Sequence, residues 1–514
     1  MERIPIRTAL LSVWDKSGLV EFAKKLHDYG IRLISTGGTF QHLMEAGIPA
    51  ISVEKYTRSR EILGGRVKTL HPRIHAGILA RRDHPEDIKL LKQKGIIPID
   101  LVVANLYPFE TVSQKEEVNL SELLEMIDIG GPAMIRAGAK NHPFVAVVVD
   151  PSDYPRIVAE LERGGIPLDL SRELAVKAFQ HTAYYDSVIH QTLSERFSLS
   201  RNGSIFVTGG RSHFPLRYGE NPHQKGAFYI LPSRQGRAIE KVLEGKTLSY
   251  NNIQDCDRAL RIVLEFSQPC CAIIKHTNPC GVALSERIAD AYIKAYETDP
   301  QSAFGSVVAV NRPVDRELTE ALKGHFVECI VAPGVDPQAR ELLERKKNLR
   351  LLLTNPWPER PFPRWELRSA LGGILLQETD CAPISAEMFR VVSRRHPEEG
   401  ELLDLEFALK VAKHVSSNAI VIARSGKTLG IGAGQMSRVD AVRIAIEKAQ
   451  KPLEGAVLAS DAFFPFRDSV DLSARAGIQA IVHPGGSIRD AEVISAADEH
   501  GIAMVLCPHR HFRH

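Results

Sequence analysis

An internal echo in the second half of this chain constrains its fold more than any other feature. Gly305-Ser306-Val307-Val308-Ala309 is followed by Val314-Asp315 and then by Cys329-Ile330-Val331-Ala332-Pro333-Gly334. Gly455-Ala456-Val457-Leu458-Ala459 is followed by Val470-Asp471 and then by Ala480-Ile481-Val482-His483-Pro484-Gly485. Order and approximate spacing agree, so two related subdomains are expected, each alternating strand, helix and strand. Chance likeness between two such patterns is the alternative reading. At 514 residues the chain exceeds what one core holds, and about three domains are expected.

Residues 1–200 alternate in the same way, the pattern of a doubly wound α/β unit. Thr8–Val13 and Ile31–Ser35 read as strands. Between them a helix from Gly18 to Tyr29 places Leu19, Phe22, Ala23 and Leu26 on one face. Leu101–Ala104 and Val145–Val149 read as further strands, and Ser171–His190 as a helix. The Ser-, Arg- and Gly-rich stretch 192–214 reads as a linker. Beyond it, strands at 270–275, 305–310 and 327–331 alternate with helices near 285–297 and 315–323. A Pro-rich interval at 355–364 precedes a third α/β portion.

A net charge of +3 argues against a broad nucleic-acid or membrane surface, so any anionic ligand must meet local clusters. No apolar run reaches the roughly 18–20 residues that span a bilayer. The first residues enter a strand directly, without a signal-peptide layout. Seven cysteines, an odd number without paired C-x-x-C spacing, point to free thiols in a reducing compartment, the cytoplasm.

The apolar run Cys270–Ile274 ends in Lys275-His276, followed by Thr277-Asn278-Pro279-Cys280-Gly281. Pro cannot donate to a ladder and Gly permits a sharp turn, so the strand is expected to stop where the two ionisable residues begin. Strand ends in α/β folds collect ligands. An ammonium beside an imidazole disfavours the imidazolium and leaves a neutral base. A solvated loop is the bland alternative.

In the first region, Ser35-Thr36-Gly37-Gly38-Thr39 lies where a strand passes into a helix, a place suited to phosphate, with Lys16 as an added cation. The segment Gly64–Pro72 puts Arg66 and Lys68 on one side of an extended chain. Asn105-Leu106-Tyr107-Pro108 ends another strand with a phenol, and Asp128-Ile129-Gly130-Gly131 leads into a helix reaching Lys140. Together they suit a polar anionic small molecule, with Lys, Tyr and Asp available for proton transfer. Further on, the Leu216–Gln224 corner offers Arg217 for phosphate and Tyr218 for stacking. Ser416-Ser417-Asn418 precedes the strand Ala419–Ala423. The run Gly430–Gln435 lacks the third glycine of a dinucleotide fingerprint, which rejects that cofactor. The tail Arg510–His514 reads either as a frayed end or as a segment folded into a site.

The motifs GGRVKTLHP, ANLYPF, IDIGG, AKNH, LRYGENPHQ, LSYNNI, KHTNPCG, SAFG, GAGQMSRVDA, SDAFFPFRD and HPGGSIRD stand in this order along almost the whole chain. By them it resembles the bifunctional purine-biosynthesis family that joins phosphoribosylaminoimidazolecarboxamide (AICAR) formyltransferase to inosine monophosphate (IMP) cyclohydrolase. The resemblance implies a methylglyoxal-synthase-like three-layer α/β domain over 1–195. It implies two cytidine-deaminase-like α/β subdomains of the transferase over 196–355 and 356–514. Zinc deaminases of that fold use a P-C-x-x-C motif that is absent here, so a metal-free variant is expected.

For formyl transfer the resemblance implies 10-formyltetrahydrofolate as co-substrate, with no tightly bound cofactor. His276 is then the proton acceptor, Lys275 assists charge or proton delivery, and Asn418 orients the reacting groups. Arg217, Tyr218 and Arg510 contact the nucleotide, and His514 is a terminal histidine of the same site. For closure of formyl-AICAR to IMP it implies Lys68, Tyr107, Asp128 and Lys140 in proton transfer and oxyanion stabilisation. Ser12, Lys16, Ser35, Thr36, Gly37, Thr39 and Arg66 then hold the nucleotide. Trp14 stands where relatives commonly carry a small hydroxyl residue, so Lys16 is expected to bear more of the phosphate contact. A homodimer is implied, with AICAR, formyl-AICAR, IMP and folate as ligands and neither nucleic acid nor membrane as partner. The rival is a nucleotide-binding regulatory protein without turnover, which the presence of Lys68, Lys275 and His276 disfavours.

Overall fold

The computed structural model describes residues 2–115, 117–199, 205–232, 240–241, 247–354, 357–358 and 365–514. Two compact units emerge: Met1–Arg211 with Leu231–Arg234, and Ser212–Ile230 with Gln235–His514. Most of the Pro-rich interval 355–364 and part of the expected linker lie outside the described residues.

The first unit is built on a five-stranded sheet of β1 (Thr8–Ser12), β2 (Arg32–Ser35), β3 (Ile51–Ser52), β4 (Leu101–Ala104) and β5 (Ala146–Val148), in the order β3-β2-β1-β4-β5. All pairs are parallel. Alternate residues point to opposite faces. Leu10, Ile34, Val102 and Val147 therefore enter one core, while Ala9, Leu11, Leu33, Val103 and Val148 enter the other. Helices cover both faces, including α1 (Leu19–Asp28), α2 (Gly37–Glu45), α3 (Gly130–Lys140) and α4 (Leu168–Arg196). The last is longer than its sequence pattern suggested and takes in residues 192–196 of the expected linker. Parallel strands bring the carboxyl ends of β1, β2 and β4 to one edge, with the loops at Ser12, Thr36 and Asn105 side by side.

The second unit carries a twelve-stranded sheet. Its first half holds β6 (Cys270–Lys275), β7 (Asn278–Leu284), β8 (Ser306–Val310), β9 (Val327–Ala332) and β10 (Arg350–Leu353). Its second half holds β11 (Ile420–Arg424), β12 (Lys427–Gly432), β13 (Val457–Ser460), β14 (Ala480–His483) and β15 (Ala503–Leu506). The order is β10-β9-β8-β6-β7-β12-β11-β13-β14-β15, with short strands Glu240–Lys241 and Arg390–Val391 at the outer edges. This palindrome is the internal echo in three dimensions. At the seam Ala283 pairs with Lys427, and the Thr428 hydroxyl accepts from Val282 N at 2.9 Å and donates to its carbonyl at 3.1 Å.

One core runs beneath both halves, joining Ala272, Ile274 and Val331 to Val421, Ala459 and Val505 under α5 (Tyr250–Val263) and α7 (Glu399–Ala412). On the opposite face each half has its own core, under α6 (Ile288–Tyr296) and α8 (Arg438–Lys448). Glycines let these helices approach closely. A Cβ on Gly281 would stand 2.0 Å from the Ala295 carbonyl oxygen, and one on Gly430 1.9 Å from that of Ala445. The glycine run near 430 thus serves helix packing.

One expectation needs correction. β6 does stop at Lys275, but Pro279 and Gly281 are not the reason, because pairing resumes at once in β7. His276 and Thr277, at φ 52° and 63°, form the tip of a tight hairpin. Pro279 is accommodated because the register shifts between Ile273 and Ile274, where a missing N–H is tolerated.

Candidate active sites

In the first unit the loops after β1, β2 and β4 enclose a cavity of about 740 Å³. Ser12, Lys16, Thr36, Gly37, Thr39, Arg66, Lys68, Tyr107 and Asp128 all line it, with Trp14, Asn105, Gly130 and Gly131. Thr36 is the N-cap of α2 but makes no side-chain cap bond, so the first amides of that helix remain available to an anion. The Thr36 hydroxyl instead lies 2.9 Å from that of Ser12. Thr39 is committed to structure: its hydroxyl accepts from Val13 N and donates to Val13 O, both at 3.0 Å.

Lys68 leans over this helix end. A Cβ on Gly37 would lie 3.4 Å from its ammonium, which pairs with Glu61 at 3.0 Å. Arg66 pairs with Glu125. Asp128 is held by the Gly131 N–H at 2.9 Å, and burial raises its carboxyl above the ordinary range. The Tyr107 phenol is also raised, by burial first and then by the charge of Asp128. Both groups therefore keep their protons to higher pH than free side chains would.

Two expected members fall elsewhere. Ser35 is fully buried and donates its hydroxyl to Leu11 O at 3.0 Å, bracing β2 against β1. Lys140 is exposed at the last position of α3, whose first residues line the cavity. At about 1.5 Å per residue, that helix carries it to the far end.

In the second unit the β6–β7 hairpin tip is the centre of interest. His276 is exposed on the turn, and Lys275 is half-buried with its ammonium donating to Phe304 O. The tip is anchored from α5, where Asp255 Oδ1 accepts the Thr277 N–H at 2.6 Å; burial raises this carboxyl. It is also tied to the second half, since Asn278 Oδ1 accepts the Ser416 N–H at 2.9 Å. Lys275 lines a cavity of about 540 Å³ with Asn278, Cys280, Asp299, Ser302, Gln435 and Lys448. Burial pushes the Cys280 thiol up to about 12, which makes it a poor nucleophile. Thr277 borders a larger cavity of about 850 Å³ with Tyr250, Lys413, His414, Phe512 and His514.

Asn418 is held on both arms. Its Nδ2 donates to Gln435 O at 2.9 Å, and its Oδ1 accepts from Arg438 at 2.8 Å. Arg438 in turn forms a buried pair with Asp461, which also accepts the Ser417 hydroxyl at 2.6 Å. Arg438 and Asp461 lie within the motifs GAGQMSRVDA and SDAFFPFRD, yet neither was singled out as a site residue from the sequence.

The tail is folded in. Ser417 N donates to Arg513 O at 2.8 Å, His511 N to Asp461 O at 3.0 Å, and the His511 ring meets Asp380 at 2.7 Å. Burial acts to raise the Asp380 carboxyl, but His511 and Lys413 outweigh it and hold it at about 2. Arg217, Tyr218 and Arg510 line neither cavity. Arg217 stacks over Tyr218 at 4.7 Å and Arg510 over Phe512 at 4.3 Å.

Among the described residues, no cluster of three or more His, Cys, Asp and Glu side chains is placed to hold a metal ion, and all seven cysteines are free. No described helix is long and apolar enough to cross a membrane. These features define a two-centre α/β enzyme with separate polar sites in its two units. Residues 18–133 match the MGS-like domain, and residues 138–448 match the AICARFT/IMPCHase bienzyme. The chain is 51% identical to the "Bifunctional purine biosynthesis protein PurH" of Persephonella marina (strain DSM 14350 / EX-H1), over 99% of its own length and 100% of the relative's. A solved structure titled "Crystal structure of ForH" is 34% identical, with a TM-score of 0.34, and covers 37% of this chain and 99% of that one. The chain belongs to the AICARFT/IMPCHase bienzyme family.

Proposed function

We propose that this chain transfers a formyl group from 10-formyltetrahydrofolate to the amine of AICAR and then closes formyl-AICAR to IMP with loss of water. The observation that carries this reading is the cavity of the first unit. Three strand-end loops bring a phosphate cradle and the Tyr107 phenol together, and the segments before the helices Pro72–Leu79 and Gly130–Lys140 add the Lys68 ammonium and the Asp128 carboxyl to the same space. For closure, the carboxamide nitrogen attacks the formyl carbon. Lys68 stabilises the developing oxyanion, the Asp128 carboxylate takes the proton released as the carboxamide nitrogen bonds, and the neutral Tyr107 phenol, raised by burial and by the charge of Asp128, returns a proton to the oxygen that leaves as water.

For transfer, the AICAR amine attacks the formyl carbon of the folate. His276 takes the amine proton, Lys275 supports the departing folate nitrogen, and Asn418, locked by Gln435 and Arg438, orients the reacting groups. The dispersal of Arg217, Tyr218 and Arg510 fits a transferase site completed in a homodimer. The exposed apolar hairpin of Trp365–Ala370 and Gly373–Glu378 supports that assembly, with Ile374 and Leu375 both about 60% exposed. We read residues 1–195 as the cyclohydrolase domain, and 196–355 and 356–514 as the two transferase subdomains. Free thiols suit a cytoplasmic enzyme that uses folate as a passing co-substrate.

Mixing pure protein with AICAR and 10-formyltetrahydrofolate tests the whole reading, and IMP is the expected product. Formyl-AICAR without IMP would remove the closure half, and no consumption of AICAR would remove both. Lys68→Ala is expected to slow closure by about 10²-fold while transfer continues.

A further inference from the structure

Trp14 sits on the loop between β1 and α1, and no step above uses it. Its indole lines the cavity of the first unit and is nevertheless 49% exposed. It meets the Tyr107 ring edge to face, with centroids 5.3 Å apart and planes at 65°. The backbone holds this contact in place. Asn105 Oδ1 accepts the N–H groups of Trp14 and Asp15 at 2.6 and 3.0 Å, while Asn105 Nδ2 donates to Asp15 O at 3.0 Å. Asn105 and Tyr107 share one strand-end loop, so the Trp14 loop and the Tyr107 loop are clamped together. Lys16 completes the turn by donating to Trp14 O at 3.3 Å.

An indole held half in solvent forgoes part of the stabilisation that full burial of a large apolar side chain gives. A flat heterocycle laid against it recovers part of that. Elsewhere the cavity carries the amino end of α2, Arg66 and Lys68, suited to phosphate, beside the apolar Ile127, Ile129 and Met134. The cavity therefore has an anion-binding part and an aromatic part, which fits a phosphorylated molecule carrying a planar ring.

We propose that Trp14 is a positioning and specificity-determining residue of the ring-closing site, packing against the reacting heterocycle and fixing the orientation of the Tyr107 phenol. The proposal rests on the reading of this unit as the ring-closing centre. It has a consequence for pH. The neutral phenol is the proton donor, and burial, followed by the charges of Asp128 and Glu61 and opposed by that of Lys68, keeps it neutral above its ordinary value of 10. Closure should therefore fall only as pH rises through that raised value. A smaller residue at position 14 admits water to the phenol and moves the fall to lower pH.

The test uses full-length protein with formyl-AICAR supplied directly, alongside transfer in the same preparations. Trp14→Ser is expected to lower kcat/KM for closure about 10-fold, the scale of one lost aromatic contact, and to move the alkaline fall downward. Trp14→Phe is expected to restore closure to within about 3-fold of the parent, because it keeps a ring against Tyr107. IMP is expected to quench part of the indole emission of the parent, and that part should vanish in Trp14→Phe. The proposal is overturned if Trp14→Ser closes the ring at the parent rate with an unmoved pH profile, if phenylalanine restores nothing, or if the IMP-sensitive emission survives in Trp14→Phe. A parent protein that transfers formyl but never closes formyl-AICAR would instead overturn the reading of the site itself.

Discussion

The two halves of the second unit share nearly every structural device and differ in what the devices carry. Each half opens its sheet with a two-residue hairpin: His276-Thr277 in the first, Ser425-Gly426 in the second, all at positive φ. Each hairpin is anchored by an aspartate from the preceding helix, Asp255 in one case and Asp404 in the other. Each has a glycine pressed against a helix carbonyl. Asp255 and Asp404 therefore belong to the scaffold, and the proposed transfer chemistry rests on the tips, where Lys275-His276 stands at the place that Arg424-Ser425 takes in the other half. The strand ends differ in a second respect. Asn311 accepts the Cys270 N–H at 2.8 Å and donates to the Phe266 and Gln268 carbonyls, a neutral tie. Asp461 occupies the matching place, accepting the Ala419 N–H at 3.1 Å, but its charge also engages Arg438 and so reaches Asn418.

The largest effect should come from the unlike tips. His276→Ala is expected to reduce formyl transfer by about 10²–10⁴-fold and to leave closure of supplied formyl-AICAR unchanged. Ser425→Ala, at the matching turn, should change transfer by less than about 2-fold; an equal loss in both would erase the functional distinction between the halves. Next comes the matched strand-end pair. Asp461→Asn copies the first half but strands the buried Arg438 charge, so urea unfolding should show a loss of about 3–5 kcal/mol along with weakened transfer. A silent Asp461→Asn would mean that the charge positions nothing. Smaller and alike in both halves should be Gly281→Ala and Gly430→Ala, about 1–3 kcal/mol each by the same measurement, because each new methyl meets helix backbone. Smallest is Asp404→Ala, expected to cost about 1 kcal/mol for its hairpin amides with transfer intact, whereas Asp255→Ala should also disturb transfer through the His276 turn.

Much of this was legible in the chain. The duplication showed because strand apolarity and turn glycines recur at matching intervals, and β6 showed because a buried strand reads as an unbroken apolar run. The cavity of the first unit was legible for a similar reason: many of its polar residues sit near glycines, at strand ends or in the segments before helices. The role of Pro279 was misread because a proline normally ends pairing, and a bulge that tolerates it leaves no mark in composition. Lys140 was grouped with the site from its place on the helix after Asp128 and from the resemblance, although the length of α3 separates it from the cavity. Arg438 and Asp461, though inside quoted motifs, were missed because nothing in their spacing shows that the fold pairs them. One signal was available: nearly the separation that pairs Asp255 with Asp404 also pairs Asn311 with Asp461.

The seam at Ala283 and Lys427 has a consequence for dissecting the protein. A cut between the duplicated portions would leave each fragment with a naked inner strand and half of a shared apolar slab, the conditions under which β-proteins form fibres. The first unit possesses its own sheet and two cores, and takes no strand from the twelve-stranded sheet. Division of the second unit at its seam should therefore be punished by aggregation of both pieces.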